Sequence, residues 1–327
     1  DKCFQDGQIP CRWSVDLGYG FGYPLFNFYP PLPYYFGHLI HILGFAFNDT
    51  FKVLVILNFI VSGITMYFLA KEFWGKKGGL ISAVFYIYAP YHAVDLYVRG
   101  ALAEFYSFVF LPAVFWSTLK LFKEKNFKWT VINSLFLSFF LLSHNLMVLP
   151  FLPFYLAFLI FLFWKEKEKK KVFLFLGFSV FLFLGLTAYF WLPSLLERKY
   201  TLVDEILTKE LASYKLHFVY LRQFLNSVWG YGGSIPGPED GLSFEVGKLH
   251  LFSAFCGGVL GFCLFLKKKK EGKTFLFFGI CFLFSLFLAS FKSEFIWNYI
   301  RPLWYLQFPW SLLLFYAFFC SILAGGF

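Results

Sequence analysis

The run Lys165-Glu166-Lys167-Glu168-Lys169-Lys170-Lys171 separates two long apolar stretches, residues 146–164 and 172–193. Lysine clusters of the same kind recur between other apolar stretches: Lys71, Lys76 and Lys77; Lys120, Lys123, Lys125 and Lys128; and Lys267 to Lys270 with Lys273. Short loops rich in lysine and arginine stay on the cytoplasmic side of a membrane. We therefore predict that all four lysine-rich loops are cytoplasmic and that the chain crosses the membrane repeatedly.

Composition excludes a soluble enzyme. The chain is 59% hydrophobic and 15% charged, whereas a globular chain carries about 25% charged residues. Many stretches approach the roughly 20 apolar residues that cross a bilayer core. The net charge of +10 follows from lysines that flank spans rather than from one basic patch. We accordingly predict membrane lipids, and no nucleic acid, as partners.

The apolar stretches predict an all-α integral membrane protein with about nine transmembrane helices. The organisation is a first outer loop (1–50), six spans (51–193), a long outer loop (194–247) and three spans (248–327). Alternation makes residues 1–50 and 194–247 extracytoplasmic, and we expect at least one further span upstream of Asp1. The nine spans are predicted at 51–70, 80–92, 102–122, 129–143, 146–164, 172–193, 248–266, 274–290 and 309–327.

The stretch Pro30–Phe47 is also apolar, but a tenth span here would turn every later lysine cluster outward. It begins with three prolines and contains His38 and His41. We predict a helix that lies in the outer membrane interface.

The cysteines indicate no zinc site. Cys3 and Cys11 lie on the predicted outer side, where a disulfide is favoured over a metal site and two free thiols remain open. No HExxH or paired-cysteine spacing occurs, so we assign no metal ligands.

Ionisable residues at the membrane edge are candidate functional residues. Arg99 and Glu104 flank the start of the span at 102, and Asp95 precedes them. Two interpretations remain open. One is an Arg–carboxylate pair that anchors a helix end, and the other is a guanidinium that binds a phosphate or pyrophosphate.

Further polar residues lie in the other outer connections. His144 and Asn145 occupy a very short turn, where they either satisfy helix-end groups or line the mouth of a cavity. His217 and Asp240 belong to the long outer loop, and a loop of this length is usually functional or a small subdomain.

Several motifs together resemble a family of bacterial multi-span proteins, the 6-pyruvoyl-tetrahydropterin synthase-related membrane proteins. That family is similar to the GT-C class of membrane glycosyltransferases. The motifs are the runs Asp6–Pro10, Arg12-Trp13, Gly18–Tyr35, Ala89–Tyr91, Asp95–Glu104, Ser143–Asn145, Trp229–Gly232 and Gln307–Trp310. The six histidines are scattered along the chain. They therefore give no support to the pterin-synthase activity in the name of the family.

The resemblance implies a GT-C-like fold in the bacterial cytoplasmic membrane and a defined reaction. A sugar would pass from a polyprenyl-phosphate carrier to a glycan, lipid or protein acceptor on the outer face, usually with inversion. The implied catalytic carboxylates are Asp16 and Glu104, although an acidic motif of the family would lie upstream of Asp1. The implied substrate-binding residues are Asp95, Arg99, His144, Asn145, His217 and Asp240.

Other classes of protein fit the same layout. A transporter or flippase of lipid-linked substrates usually carries ionisable residues at mid-membrane in repeated halves, whereas here they lie at the outer edge. A non-catalytic envelope-assembly protein is a third reading. The residues identify no cofactor beyond the lipid-linked donor, and outer Asp and His side chains leave a divalent cation open.

Overall fold

The computed structural model describes residues 1–207 and 212–327, and this part of the chain is helical, with no β-strand. The longer helices set the architecture. They are α1 (Leu32–His41), α2 (Phe47–Ile87), α3 (Pro90–Tyr97), α4 (Leu102–Glu124), α5 (Phe127–Ser143), α6 (Val148–Phe163), α7 (Lys169–Leu196), α8 (Lys248–Leu266), α9 (Lys270–Ala289) and α10 (Leu313–Gly326). Shorter helices are Lys2–Gln5, Leu25–Phe28, Val203–Ile206, Leu221–Leu225 and Glu294–Tyr299.

In the described residues, 7 helical segments are long and apolar enough to cross a membrane. The chain is therefore an all-α integral membrane protein. The predicted nine spans map onto these segments and one more. The segment Phe47–Tyr97 contains two predicted spans, which meet at Gly75 with φ of 73°, outside helical geometry. The predicted span 129–143 corresponds to α5, which has 17 residues.

Two helices begin inside lysine runs rather than after them. α7 starts at Lys169 and α9 at Lys270, ahead of the predicted span starts at 172 and 274. Lysine is a good helix former, and its long side chain reaches the headgroup layer while its backbone lies deeper. Hydropathy thus finds the apolar part of each helix and misses its first turn.

The core of the bundle is formed by α4 and by the last apolar segment, Pro309–Gly326. Their apolar windows are 89% and 94% buried, whereas that of Lys169–Tyr200 is only 22% buried. α4 and α10 are therefore interior helices, and α7 lies at the periphery, where its phenylalanines face lipid.

A polar network joins four helices inside the bundle. Asn133 of α5 donates from Nδ2 to Ser117 Oγ at 3.0 Å and Thr118 Oγ1 at 2.8 Å, both on α4. Its Oδ1 accepts from Ser179 Oγ of α7 at 2.9 Å. Thr118 in turn contacts Tyr155 Oη of α6 at 2.9 Å. Interhelical hydrogen bonds of this kind stabilise membrane bundles.

Replacing Asn133 with leucine should lower the free energy of unfolding by about 1–2 kcal/mol, because interhelical hydrogen bonds contribute up to that much and three are lost. Ser179→Ala, which removes one of them, is the matched smaller change. Reversible unfolding in mixed micelles measures both. Equal stability of Asn133→Leu and wild type would contradict a structural role for the network.

The lysine clusters lie together at one end of the bundle. Glu72 pairs with Lys123 and, at 3.9 Å, with Lys120. Lys125 pairs with Glu166 at 3.1 Å, which joins the loop after α4 to the loop after α6. At the other end, Asn145 Nδ2 donates to the carbonyl of Phe28 at 3.4 Å, and Val219 forms a bridge with Ser290.

The segment before α2 packs against that second end. α1 has 10 residues, about 15 Å of helix, which is too short for a hydrocarbon core of about 30 Å. Cys3 and Cys11 form a disulfide, as the sequence favoured. The Asp1 carboxylate contacts both histidines of α1, with His41 Nε2 at 3.0 Å.

Candidate functional site

A tight turn between α3 and α4 positions the three membrane-edge charges. Pro90 occupies the first turn of α3, where its missing N–H is not needed. Gly100 then adopts φ of +60°, a backbone conformation that glycine takes without strain. The turn places Arg99 between Asp95, in the last turn of α3, and Glu104, in the first turn of α4.

The Arg99 guanidinium holds both carboxylates. Its Nη1 donates to Asp95 Oδ1 at 2.5 Å and to Glu104 Oε2 at 2.6 Å. Tyr91 Oη lies 3.1 Å from the same Nη1 and donates to Glu104 Oε1 at 2.6 Å. Charge-assisted bonds of this length are the strong class. Through Nη1, Arg99 therefore forms the Arg–carboxylate pair of the first interpretation.

Trp310 covers the guanidinium from the far end of the sequence. The Arg99 guanidinium carbon lies 4.3 Å from the centre of the indole ring, within cation–π range. Phe308 stacks on Trp310, with ring centres 4.8 Å apart, and the two rings form an aromatic wall beside Arg99. Ser311 Oγ lies 3.5 Å from Glu104 Oε2. We call Tyr91, Asp95, Arg99, Glu104 and Trp310 the Arg99 cluster.

Burial makes the charges of this cluster interdependent. Asp95 and Glu104 are 0% and 1% exposed. Water therefore cannot replace Arg99 as the partner of either carboxylate. Burial is the largest single effect on Arg99 and disfavours its charge, but the interactions with Glu104, Tyr91 and Asp95 together outweigh burial and raise the pKa of Arg99. Arg99 is thus a permanent cation that two buried carboxylates hold in one orientation.

One edge of the guanidinium remains available. In the described residues, all hydrogen bonds of the Arg99 side chain are made through Nη1, and that side chain is 16% exposed. Two buried polar atoms beside it, Asp95 Oδ2 and Trp310 Nε1, have no hydrogen-bond partner in residues 1–207 and 212–327. Of these two atoms only the indole N–H of Trp310 can donate to an anion, together with the N–H groups of Arg99 outside Nη1.

The structure brings His144 near this cluster. It ends α5 in an extended conformation, and its Nδ1 accepts from the backbone N–H of Met147 at 3.3 Å. Desolvation lowers the pKa of His144, and the charge of Glu104 opposes that shift. The imidazole is therefore neutral near pH 7. Asn145 instead points to the Leu25–Phe28 helix, where it contacts the carbonyl of Phe28.

The two residues predicted from the long outer loop have different positions. His217 packs edge-on against Phe308, with ring centres 4.9 Å apart, and thereby joins the aromatic wall behind Trp310. Asp240 is used within its own loop: its oxygens accept from Gln223 Nε2 at 2.7 Å and from the N–H of Ile235 at 3.0 Å. Asp240 therefore holds the loop together.

Asp16 lies apart from these contacts in an exposed turn. The turn is closed by the antiparallel bridge between Ser14 and Tyr23. In residues 1–207 and 212–327, its carboxylate forms no ion pair or hydrogen bond, and no contact joins it to the Arg99 cluster.

Three residues of the site have no role in the sequence prediction. Tyr91 and Trp310 stand in motifs quoted above, and Ser311 follows Trp310. An aromatic residue beside a lone membrane-edge arginine is the signal that could have identified Trp310. No group of three or more His, Cys, Asp or Glu side chains within residues 1–207 and 212–327 is placed to hold a metal ion.

The fold and the site define a multi-pass membrane protein with a charged cluster at one end of its bundle. Residues 26–321 match the family model described as "6-pyruvoyl-tetrahydropterin synthase related domain; membrane protein". The chain belongs to this family. It is also 30% identical over 203 residues to an uncharacterized protein of Lactococcus lactis subsp. cremoris (strain MG1363). That match covers 59% of this chain and 33% of the relative, so the chain spans about a third of its length.

Proposed function

We propose that this protein is a glycosyltransferase of the bacterial cytoplasmic membrane. It moves a sugar from a polyprenyl-phosphate carrier to a cell-envelope acceptor on the outer face. The lysine-rich end of the bundle is cytoplasmic in this proposal, and the Arg99 cluster faces outward with residues 1–50 and 194–247. A disulfide in the first of these segments supports an oxidising compartment on that side.

The observation that carries the proposal is the orientation of Arg99. Asp95 and Glu104 fix Nη1, and the remaining edge of a planar guanidinium matches two phosphate oxygens. Because the carrier phosphate is the leaving group, negative charge grows on it as the glycosidic C–O bond breaks. A fixed cation at that position stabilises the transition state more than the ground state.

The residues of the cluster have distinct parts in this reaction. Arg99 binds the phosphate, Asp95 is a positioning residue for Arg99, and Trp310 packs on the guanidinium and fixes its plane. Glu104 and Asp16 are the two candidates for the base that accepts the proton of the acceptor hydroxyl. Glu104 lies in the cluster, whereas Asp16 is exposed and unengaged.

His144 and the wall of His217 and Phe308 enclose the cluster and complete the cavity in this proposal. Asn145 ties the turn after α5 to the first outer segment, and Asp240 shapes the loop that covers the site. Both act on the shape of the cavity rather than on the reacting atoms.

The test is sugar transfer by the protein in proteoliposomes, with a panel of labelled polyprenyl-phosphate sugars and envelope acceptors. We expect transfer by wild type and a loss of at least about 10²-fold, the usual contribution of a general base, in either Glu104→Gln or Asp16→Asn. Glu239→Gln, an exposed carboxylate paired with Arg222, is the control.

Two outcomes would overturn the proposal. Carrier binding without turnover across the panel, together with movement of the labelled lipid between leaflets, would identify a transporter or flippase. If wild type and every variant neither bind nor turn over any carrier lipid, the result would favour a non-catalytic protein of envelope assembly.

A further inference from the structure

A second candidate binding site lies at the opposite, lysine-rich end of the bundle. Three adjoining depressions of about 480, 440 and 530 Å³ lie at the end of α6 and along the first half of α7. The first two share Phe163 and Lys169, and the second and third share Phe173 and Leu174. They therefore form one continuous groove.

Apolar side chains line most of this groove. Ile160 is 64% exposed, Leu174 71% and Phe181 69%, so these side chains contact whatever surrounds the bundle. In a membrane-spanning segment the surroundings are lipid tails. The first two depressions lie between α6 and α7 and the third lies along α7 alone, so the groove offers an acyl chain an apolar surface along α7.

The mouth of the groove carries lysines that the protein itself leaves unneutralised. Three other lysines of this face have carboxylate partners in the described residues: Lys120, Lys123 and Lys125. The run at 165–171 contains two glutamates, but both pair with Lys125, at 3.1 and 2.9 Å. Across residues 1–207 and 212–327, no ion pair involves Lys169 or Lys170.

Further lysines lie at other helix ends on the same face of the bundle. Lys165 follows α6, and burial and then the charges of Lys273 and Lys270 lower its pKa. Lys169 and Lys270 also lie at helix N-termini, where the helix dipole disfavours a positive side chain. An anion in the groove would offset the unfavourable interaction of Lys169 with the helix dipole.

We propose that the groove is a binding site for an anionic phospholipid of the leaflet on the lysine-rich face. The phosphate headgroup sits at Lys169 and Lys170, which line the groove, and an acyl chain lies along Phe173 and Leu174. Basic pockets between transmembrane helices bind anionic headgroups in this way. The inference rests on the groove and its lysines, and it stands whether or not the proposed transferase activity is found.

Trp164 provides a probe at the groove mouth, where it is 81% exposed. The protein is placed in nanodiscs that contain phospholipid brominated on its acyl chains, either anionic phosphatidylglycerol or zwitterionic phosphatidylcholine. The Trp164 signal is the difference between wild type and Trp164→Phe. Quenching is followed as the brominated lipid replaces its unbrominated counterpart.

We expect the Trp164 signal to report an apparent preference for the anionic lipid of at least about tenfold, since each lysine near a headgroup contributes roughly a fivefold factor. In the double variant Lys169→Gln/Lys170→Gln this preference for the anionic lipid should fall at least about tenfold, because two lysines are removed. Lys76→Gln/Lys77→Gln removes the same charge from exposed lysines elsewhere in the predicted cytoplasmic loops and should keep the preference.

Equal quenching by the two lipids in wild type would overturn the proposal. So would a preference that survives Lys169→Gln/Lys170→Gln, or one that both double variants lose equally, which would indicate a diffuse surface charge. Because sugar transfer is not measured here, failure of this site and failure of the proposed reaction give separate results.

Discussion

Replacing Arg99 with alanine will lower the free energy of unfolding by about 3–5 kcal/mol, the usual cost of removing one partner of a buried ion pair. The substitution leaves Asp95 and Glu104 without their shared cation, and both are buried. It also removes the guanidinium that packs on Trp310. Unfolding of the purified variant in mixed micelles, with size-exclusion chromatography as a check on folding, measures the effect.

A charge-matched variant separates lost pairing from lost packing. Asp95→Asn with Glu104→Gln removes both carboxylate charges, and in that background Arg99→Ala should cost far less than it does alone. Arg222→Ala, which breaks an exposed pair with Glu239, should leave the unfolding transition unchanged. If Arg99→Ala is as stable as wild type, the two carboxylates do not depend on Arg99 and the described cluster is wrong.

Replacing Arg99 with lysine will preserve the fold and reduce sugar transfer by about 10²-fold, the scale for loss of one donor to a developing negative charge. A lysine retains the positive charge between Asp95 and Glu104. It cannot hold the carboxylates and still present a second, planar edge to a phosphate. Steady-state kinetics with the donor sugar lipid measure the effect, and we expect the loss mainly in kcat.

The same conservative change at Arg222, on the exposed loop, controls for a general effect of the substitution. Unchanged kcat and KM in Arg99→Lys, in protein that remains folded, would restrict Arg99 to the structural pair. A rise in KM with constant kcat would instead indicate a phosphate that is bound equally in the ground and transition states.

Hydropathy and lysine placement were sufficient to predict the membrane-spanning bundle. The spans predicted at 102–122 and 248–266 match α4 and α8 within two residues, since apolar length is a direct consequence of bilayer thickness. The break at His144 was also predicted. Boundaries failed where a helix begins among lysines, as at Lys169, because hydropathy does not report helix propensity.

The composition of the Arg99 cluster was only partly predictable. Asp95, Arg99 and Glu104 are close in sequence, and the turn at Gly100 between α3 and α4 brings them together. Trp310 is more than two hundred residues away, and only the packing of the last apolar segment against α2, α3 and α9 brings it to Arg99. The same limit applies to Asp240, whose partner Gln223 could not be inferred from loop sequence.

The exposed edge of Arg99 is the feature on which the proposed function depends, and lipid binding tests it most directly. The protein in nanodiscs is titrated with polyprenyl phosphate and with the neutral polyprenol of the same length, for wild type and Arg99→Lys. We predict that wild type binds the phosphate at least about tenfold more tightly than the alcohol, as a charge-assisted hydrogen bond implies, and that Arg99→Lys loses this preference. Equal binding of the two lipids by wild type would contradict the assignment of a carrier-phosphate site to Arg99.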